Sequence, residues 1–194
     1  MDKLLLAPAF LRLIREGRFF RPVFHWILRV QAVLAALGGI LLSIELWKQA
    51  SGLSTGAIFG LLVLQLALAV AVYLVCHLSW IRASDLAALE GGEPEPVAVL
   101  RLLLKLGGEV YAAVLAPLSV GGALLIWISA GEAGDALRTL FAGVLPAAPG
   151  DAFQSGLTLL ASGLALAAAG LLSAYALSEL IRLFVALERN TRKA

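Results

Sequence analysis

Charge is what this chain has least of. Asp, Glu, Lys and Arg supply 14% of its 194 residues and apolar residues 61%, whereas soluble domains carry about a quarter charged residues. A soluble fold is excluded on that balance. Cysteine is almost missing as well: Cys76 stands alone, so no internal disulfide and no thiolate cluster can form. Two histidines, His25 and His77, are too few for a His/Cys metal set, and no metal or other cofactor is expected. The net charge of +2 is too small and too scattered to attract nucleic acid. The chain also lacks a phosphate-cradling glycine loop with its lysine, a G-x-S-x-G elbow and an H-E-x-x-H pair. Without those parts it is not expected to be an enzyme.

What remains is long apolar runs of membrane-crossing length. The expected fold is an all-α membrane protein, a single domain built as a four-transmembrane-helix bundle. Spans are expected at 23–47, 56–80, 106–128 and 153–182. Trp26 and Trp47 bracket the first, about 31 Å apart on a helix, close to one hydrocarbon thickness with an aromatic at each interface. Ser51-Gly52 signals the turn into the second, whose start carries Gly52, Gly56 and Gly60 at GxxxG spacing. The run Glu90-Gly91-Gly92-Glu93-Pro94-Glu95-Pro96 is the clearest break. Its flanks keep helical apolar spacing, so 81–105 reads as a projecting cytoplasmic hairpin. The third span contains Pro117, which is expected to kink it.

Two amphipathic stretches lie outside the spans. Over 8–18, Phe10, Leu13 and Ile14 share one helical face while Arg12, Arg15 and Glu16 share another. That pattern predicts an N-terminal interfacial helix rather than a cleaved signal, because the apolar run is cut by Arg12. In the loop 129–152, Leu137, Leu140, Phe141, Val144 and Leu145 follow i, i+3, i+4, i+7, i+8. A short helix capped by Asp135 and ended by Pro146 is expected there, resting on the outer interface or serving as a lid or contact.

The sparse cations predict orientation. With both termini cytoplasmic, the inner side holds Lys3, Arg12, Arg15, Arg18, Arg21, Arg29, Arg82, Arg101, Lys105, Arg182, Arg189, Arg192 and Lys193, and the outer side only Lys48 and Arg138. Thirteen of 15 on one side matches the positive-inside rule. The basic tail 183–194 then sits in the cytoplasm, and the expected partner surface is a bilayer with anionic headgroups.

Ionisable groups within spans are candidate functional residues. Arg29, His77, Glu109, Glu179 and Arg182 form the candidate polar cluster. Counted from the outer ends of their helices, His77, Glu109 and Glu179 all arrive near the inner boundary at about 1.5 Å per residue. Snorkelling and inter-helix ion pairs are the plain reading there. The sharper one gathers two carboxylates, an imidazole and Arg29 at a cytoplasmic mouth, suited to a small proton- or ion-coupled transporter or channel. Gly156, Gly163, Ala167, Gly170 and Ala174 form a second pattern, a small-residue stripe within about 80° of the last helix. It reads as a packing seam. Glu179 lies about 140° from the stripe's centre, so the two are expected to face different neighbours.

The last helix ends in Ser178-Glu179-Leu180-Ile181-Arg182, followed by Glu188, Asn190, Thr191 and Arg192. This ending, with Phe19-Phe20-Arg21-Pro22 before the first span, resembles that of small bacterial multi-pass membrane proteins to which no activity is attached. The resemblance implies a bacterial inner-membrane location and no substrate. The tail is short, so no cytoplasmic coiled-coil extension is expected. The expected role is association through helix packing, as a homo-oligomer or as the accessory subunit of a membrane partner.

Overall fold

The computed structural model describes residues 20–88, 95–146 and 150–191. Its five helices are α1 (Phe20–Lys48), α2 (Thr55–Ala87), α3 (Glu95–Ile128), α4 (Gly134–Leu140) and α5 (Ala152–Thr191). There is no strand among the described residues. All except α4 are long and apolar enough to cross a membrane. The expected interfacial helix at 8–18, the tip of the hairpin at 89–94 and the last residues of the tail lie outside the described residues.

Each long helix outruns the span read from sequence. α2 continues past the span's end at 80 to Ala87 and α3 starts at Glu95, ahead of the span's start at 106, so both flanks of the expected hairpin are helical; α5 runs on to Thr191. Arg82, Asp85, Arg101 and Lys105 are good enough helix formers that no residue in the stems breaks the ladder. With 34 residues, α3 is about 51 Å long against about 30 Å of hydrocarbon. The stems are thus continuous with the spans, and α3 carries Pro117 in its interior without interruption.

The long helices pack in series as an up-and-down array, α1 on α2, α2 on α3 and α3 on α5, with slight contact between α1 and α3. Burial separates the centre from the flanks. The most apolar windows of α2 and α3 are 33% and 44% buried, those of α1 and α5 only 17%. One end of the array holds the α1–α2 turn and α4, and is called the loop end; the other, holding Phe20 and Thr191, is the terminal end. A core cluster occupies each. Leu46, Leu61, Leu64, Leu125 and Leu159 fill the loop end; Leu28, Leu86, Val99 and Leu106 fill the terminal end.

The loop end also corrects the sequence reading of α4. Its apolar face turns inward: Leu137 and Phe141 are buried in the loop-end core rather than laid on a membrane interface. Periodicity gave the face correctly but not its neighbour. The helix starts at Gly134 after Ala133, which makes no side-chain cap bond, and it ends at Leu140, well before Pro146. What turns the chain into it is a Schellman close of α3, with Gly131 N–H donating to Ile126 O (2.9 Å) and Ala130 N–H to Trp127 O (3.3 Å). Ala130 takes the left-handed φ of 50° that this close requires.

A latch joins that turn to α2. The Ser54 amide and hydroxyl donate to the Glu132 carboxylate at 3.0 and 2.6 Å, while the same hydroxyl accepts from Ala57 N–H at 3.3 Å as the α2 N-cap. Bonds from the Ser54 hydroxyl, then its amide, hold the Glu132 carboxyl below its ordinary value of 4.5. A carboxylate depressed on folding contributes above its unfolded value and loses that contribution as pH falls through the folded one. Amide exchange at residues 54–57, corrected for intrinsic rate, should therefore stay flat from pH 8 to 5 and quicken only below about 4.5. Glu132→Ala should abolish the step; a step that persists in Glu132→Ala rules out this latch as its source.

Candidate functional site

At the terminal end three helices bring ionisable side chains together. α2 presents Arg82 and Asp85, α3 presents Lys105 and Glu109, and α5 presents Tyr175, Glu179 and Arg182. Arg82 forks onto Glu109, Nε donating to Oε2 at 2.9 Å and Nη2 to Oε1. Its remaining Nη1 donates to Asp85 Oδ2 at 2.8 Å. The Tyr175 hydroxyl donates to Glu109 Oε1 at 2.5 Å and lies 3.4 Å from Arg82 Nη2. Planar, bidentate guanidinium–carboxylate contacts are the geometrically specific kind. This one ties α2 to α3, and the phenol adds α5.

A second pair continues the network along α5. Glu179 lies 3.6 Å from Lys105 Nζ and 3.0 Å from Arg182 Nε, and Lys105 Nζ sits 5.1 Å over the Tyr175 ring. Three cations thus face three carboxylates. The Glu109 side chain is only 10% exposed and that of Arg82 22%. Both Glu109 oxygens accept bonds from within the protein. None of these side chains lines the apolar groove between α1 and α3 or the pocket beside α4. What the arrangement does chemically is fasten three helices.

Of the five residues expected to converge, three do. Glu109, Glu179 and Arg182 share the network, while Arg29 and His77 stand apart. His77 stacks on Tyr73 with ring centroids 5.7 Å apart and planes within 10°. Arg29 packs against two indoles, its Cζ 5.4 Å from the Trp26 centroid and 5.0 Å from that of Trp80. The structure adds Arg82, Asp85, Lys105 and Tyr175, which sequence reasoning treated as stem or boundary residues. A signal for Arg82 was present. Folding the chain about the Pro94–Pro96 break puts Arg82 and Glu109 at nearly equal distances from the turn, where antiparallel helices meet.

The small-residue stripe faces α3 along its length. A Cβ on Gly156 would lie 2.2 Å from the Trp127 indole, on Gly163 1.8 Å from Ser119 Oγ, and on Gly170 2.6 Å from the Tyr111 ring. Ala174 touches Gly108, and Ala167 is buried. The expectation that Glu179 faces a different neighbour is corrected: it reaches α3 too, through Lys105. Ser178, fully buried, continues the stripe, and the adjacent Glu179 is met by the long lysine chain reaching round the helix. A Cα direction does not limit so flexible a partner.

Comparison with protein-family models, with curated proteins and with solved structures returns no match.

Proposed function

We propose that this chain is a non-enzymatic, multi-pass protein of the bacterial inner membrane, both termini cytoplasmic, that acts by associating with a second copy of itself through α1. The distribution of lysine and arginine supports the orientation, since among the described residues the terminal end holds Arg21, Arg29, Arg82, Arg101, Lys105, Arg182 and Arg189, and the loop end only Lys48 and Arg138. The network at that end supports a structural rather than a transport role, because its charges are matched within the molecule and Glu109 opens onto no described cavity.

The observation that carries self-association is Gln31. It is partly exposed on α1, about 7 Å membraneward of Trp26, and among the described residues its amide has no hydrogen-bond partner. The other intramembrane amide, Gln65, donates to Ser43 Oγ at 2.8 Å. An amide in hydrocarbon gains by bonding across to another helix. A glutamine both donates and accepts, so its best partner on a symmetric dimer is itself. Gln31, Ala35, Gly38 and Leu42 lie at i, i+4, i+7 and i+11 on one face. Nothing lies within 4 Å of where a Gly38 Cβ would be, and beside it runs an apolar groove of about 290 Å³ toward α3. Two α1 helices can approach closely there.

Oxidative cross-linking in native membranes tests this. In a Cys76→Ser background, Ala35→Cys and Gly38→Cys should each give a disulfide dimer, and Leu37→Cys, on another face, should not. Gln31→Leu should weaken the dimer roughly three- to tenfold. Equal cross-linking at Leu37→Cys, or none at either stripe position, would remove the proposal.

A further inference from the structure

We infer that Trp26, Arg29 and Trp80 form a binding site for the phosphate of an anionic phospholipid in the leaflet at the terminal end. Lys48, Arg82, Lys105 and Arg182 each have a carboxylate within 4 Å. Arg29 has none among the described residues; its contacts are the faces of two indoles, one from α1 and one from α2. Its Nε is buried without an acceptor. Both rings pack against the guanidinium carbon, and its N–H donors point outward in the guanidinium plane, which sets the direction of approach.

The cradle is held in place before any ligand arrives. One turn earlier on α1, the His25 ring nitrogen Nδ1 lies 2.7 Å from Ala83 O of α2. A carbonyl only accepts, so Nδ1 carries the proton, and this bond sets the register that brings Trp80 against Arg29. Cys76 Sγ donates to Ala32 O at 3.2 Å one turn further in.

The chemistry of the missing partner follows from where the cradle sits. Tryptophans from two helices mark the interface, and an uncompensated guanidinium at that depth favours an anion that presents two oxygens in a plane. A phosphodiester does so. Membraneward of the cradle, Val33 and Ile40 on α1 and Tyr73 and Leu66 on α2 continue the two faces at helical spacing, and all four are exposed. They offer acyl chains an apolar track, so the occupant is the whole lipid rather than a free headgroup. A lipid with net negative charge is preferred over a zwitterionic one, whose own ammonium competes for the phosphate.

Native mass spectrometry of the full chain released from mixed phosphatidylglycerol–phosphatidylcholine micelles reads this directly. The wild type should retain one phosphatidylglycerol roughly five- to tenfold over phosphatidylcholine. Arg29→Gln should lose the preference, and Arg29→Lys, a point charge without the fork, should keep part of it. Independently of any variant, brominated phosphatidylglycerol should quench wild-type tryptophan fluorescence more than brominated phosphatidylcholine. Glycerophosphoglycerol, the headgroup without tails, should not displace the bound lipid. An undiminished preference in Arg29→Gln, equal quenching by the two lipids, or displacement by the bare headgroup would each overturn the assignment.

Discussion

Cutting either half of the Arg82–Glu109 fork should cost about 1–3 kcal/mol of stability, the largest loss expected from any single charge removal in this protein. Arg82→Ala leaves a carboxylate whose side chain is 10% exposed with only Tyr175 bonded to it. Glu109→Ala leaves a guanidinium with Asp85, on its own helix, and a long contact of 3.4 Å to the Tyr175 hydroxyl. Each single change strands a charge away from water, and that stranding rather than the lost attraction dominates the cost. The double change Arg82→Leu/Glu109→Leu removes both charges and should recover most of the loss. Tyr175→Phe should cost about 1 kcal/mol, the worth of one hydrogen bond. Thermal or denaturant unfolding in detergent, followed by circular dichroism, supplies the cycle. Single variants within about 0.5 kcal/mol of wild type, the spread of ordinary surface changes, would show that the fork does not fasten α2 to α3. A double variant no better than the singles would show that packing, not charge, is what the site provides.

The four long helices were legible in the sequence because the solvent sets their length. A run that must cross about 30 Å of hydrocarbon announces itself by its lack of charge. Helix ends were legible only in part. The apolar spacing kept between Arg82, Asp85, Arg101 and Lys105 predicted helical stems beyond the spans, and α2 and α3 do run on to Ala87 and back to Glu95, whereas nothing in the tail predicted that α5 would reach Thr191. Treating Arg82 as a marker of sidedness also hid its partner. The same residue fits the positive-inside pattern and closes a half-buried ion pair, and only folding the hairpin about Pro94–Pro96 separates the two roles. Leu137 and Phe141 show a further limit: spacing of 3.6 shows that a helix has an apolar face, not whether lipid or the α2–α3–α5 core covers it. The stripe from Gly156 to Ala174 was readable because side chains that small at fixed spacing are spent on close approach, and α3 is what approaches. His77 and Arg29 were grouped with Glu109 by depth alone. Depth fixes one coordinate of three, and the faces of α1 and α2 on which they stand carry them to Trp26, Tyr73 and Trp80 instead.

Enlarging Gly163 should break the α3–α5 seam more sharply than enlarging any exposed glycine. The Cβ of an alanine there would fall 1.8 Å from Ser119 Oγ and 2.4 Å from Ser119 Cβ, distances that no rotamer change of Ser119 fully relieves. Overpacking of this kind costs about 1–3 kcal/mol for one added carbon, and more for a larger side chain. Gly163→Leu should therefore prevent α5 from docking on α3, read as aggregation or as loss of the unfolding transition in detergent. The partner substitutions then separate sterics from a general intolerance of change. Ser119→Ala removes only the hydroxyl and should rescue Gly163→Ala weakly, whereas Ser119→Gly removes the Cβ as well and should rescue it largely. Gly38→Ala is the contrasting case. With no atom within 4 Å of its Cβ position, it should leave the monomer as stable as wild type or raise it by up to about 1 kcal/mol through helix propensity. If a second α1 does cross at Gly38, the same methyl group should weaken dimer cross-linking at Ala35→Cys. Stability gained and association lost from one added carbon distinguishes a glycine kept for a neighbouring copy from one kept for its own fold.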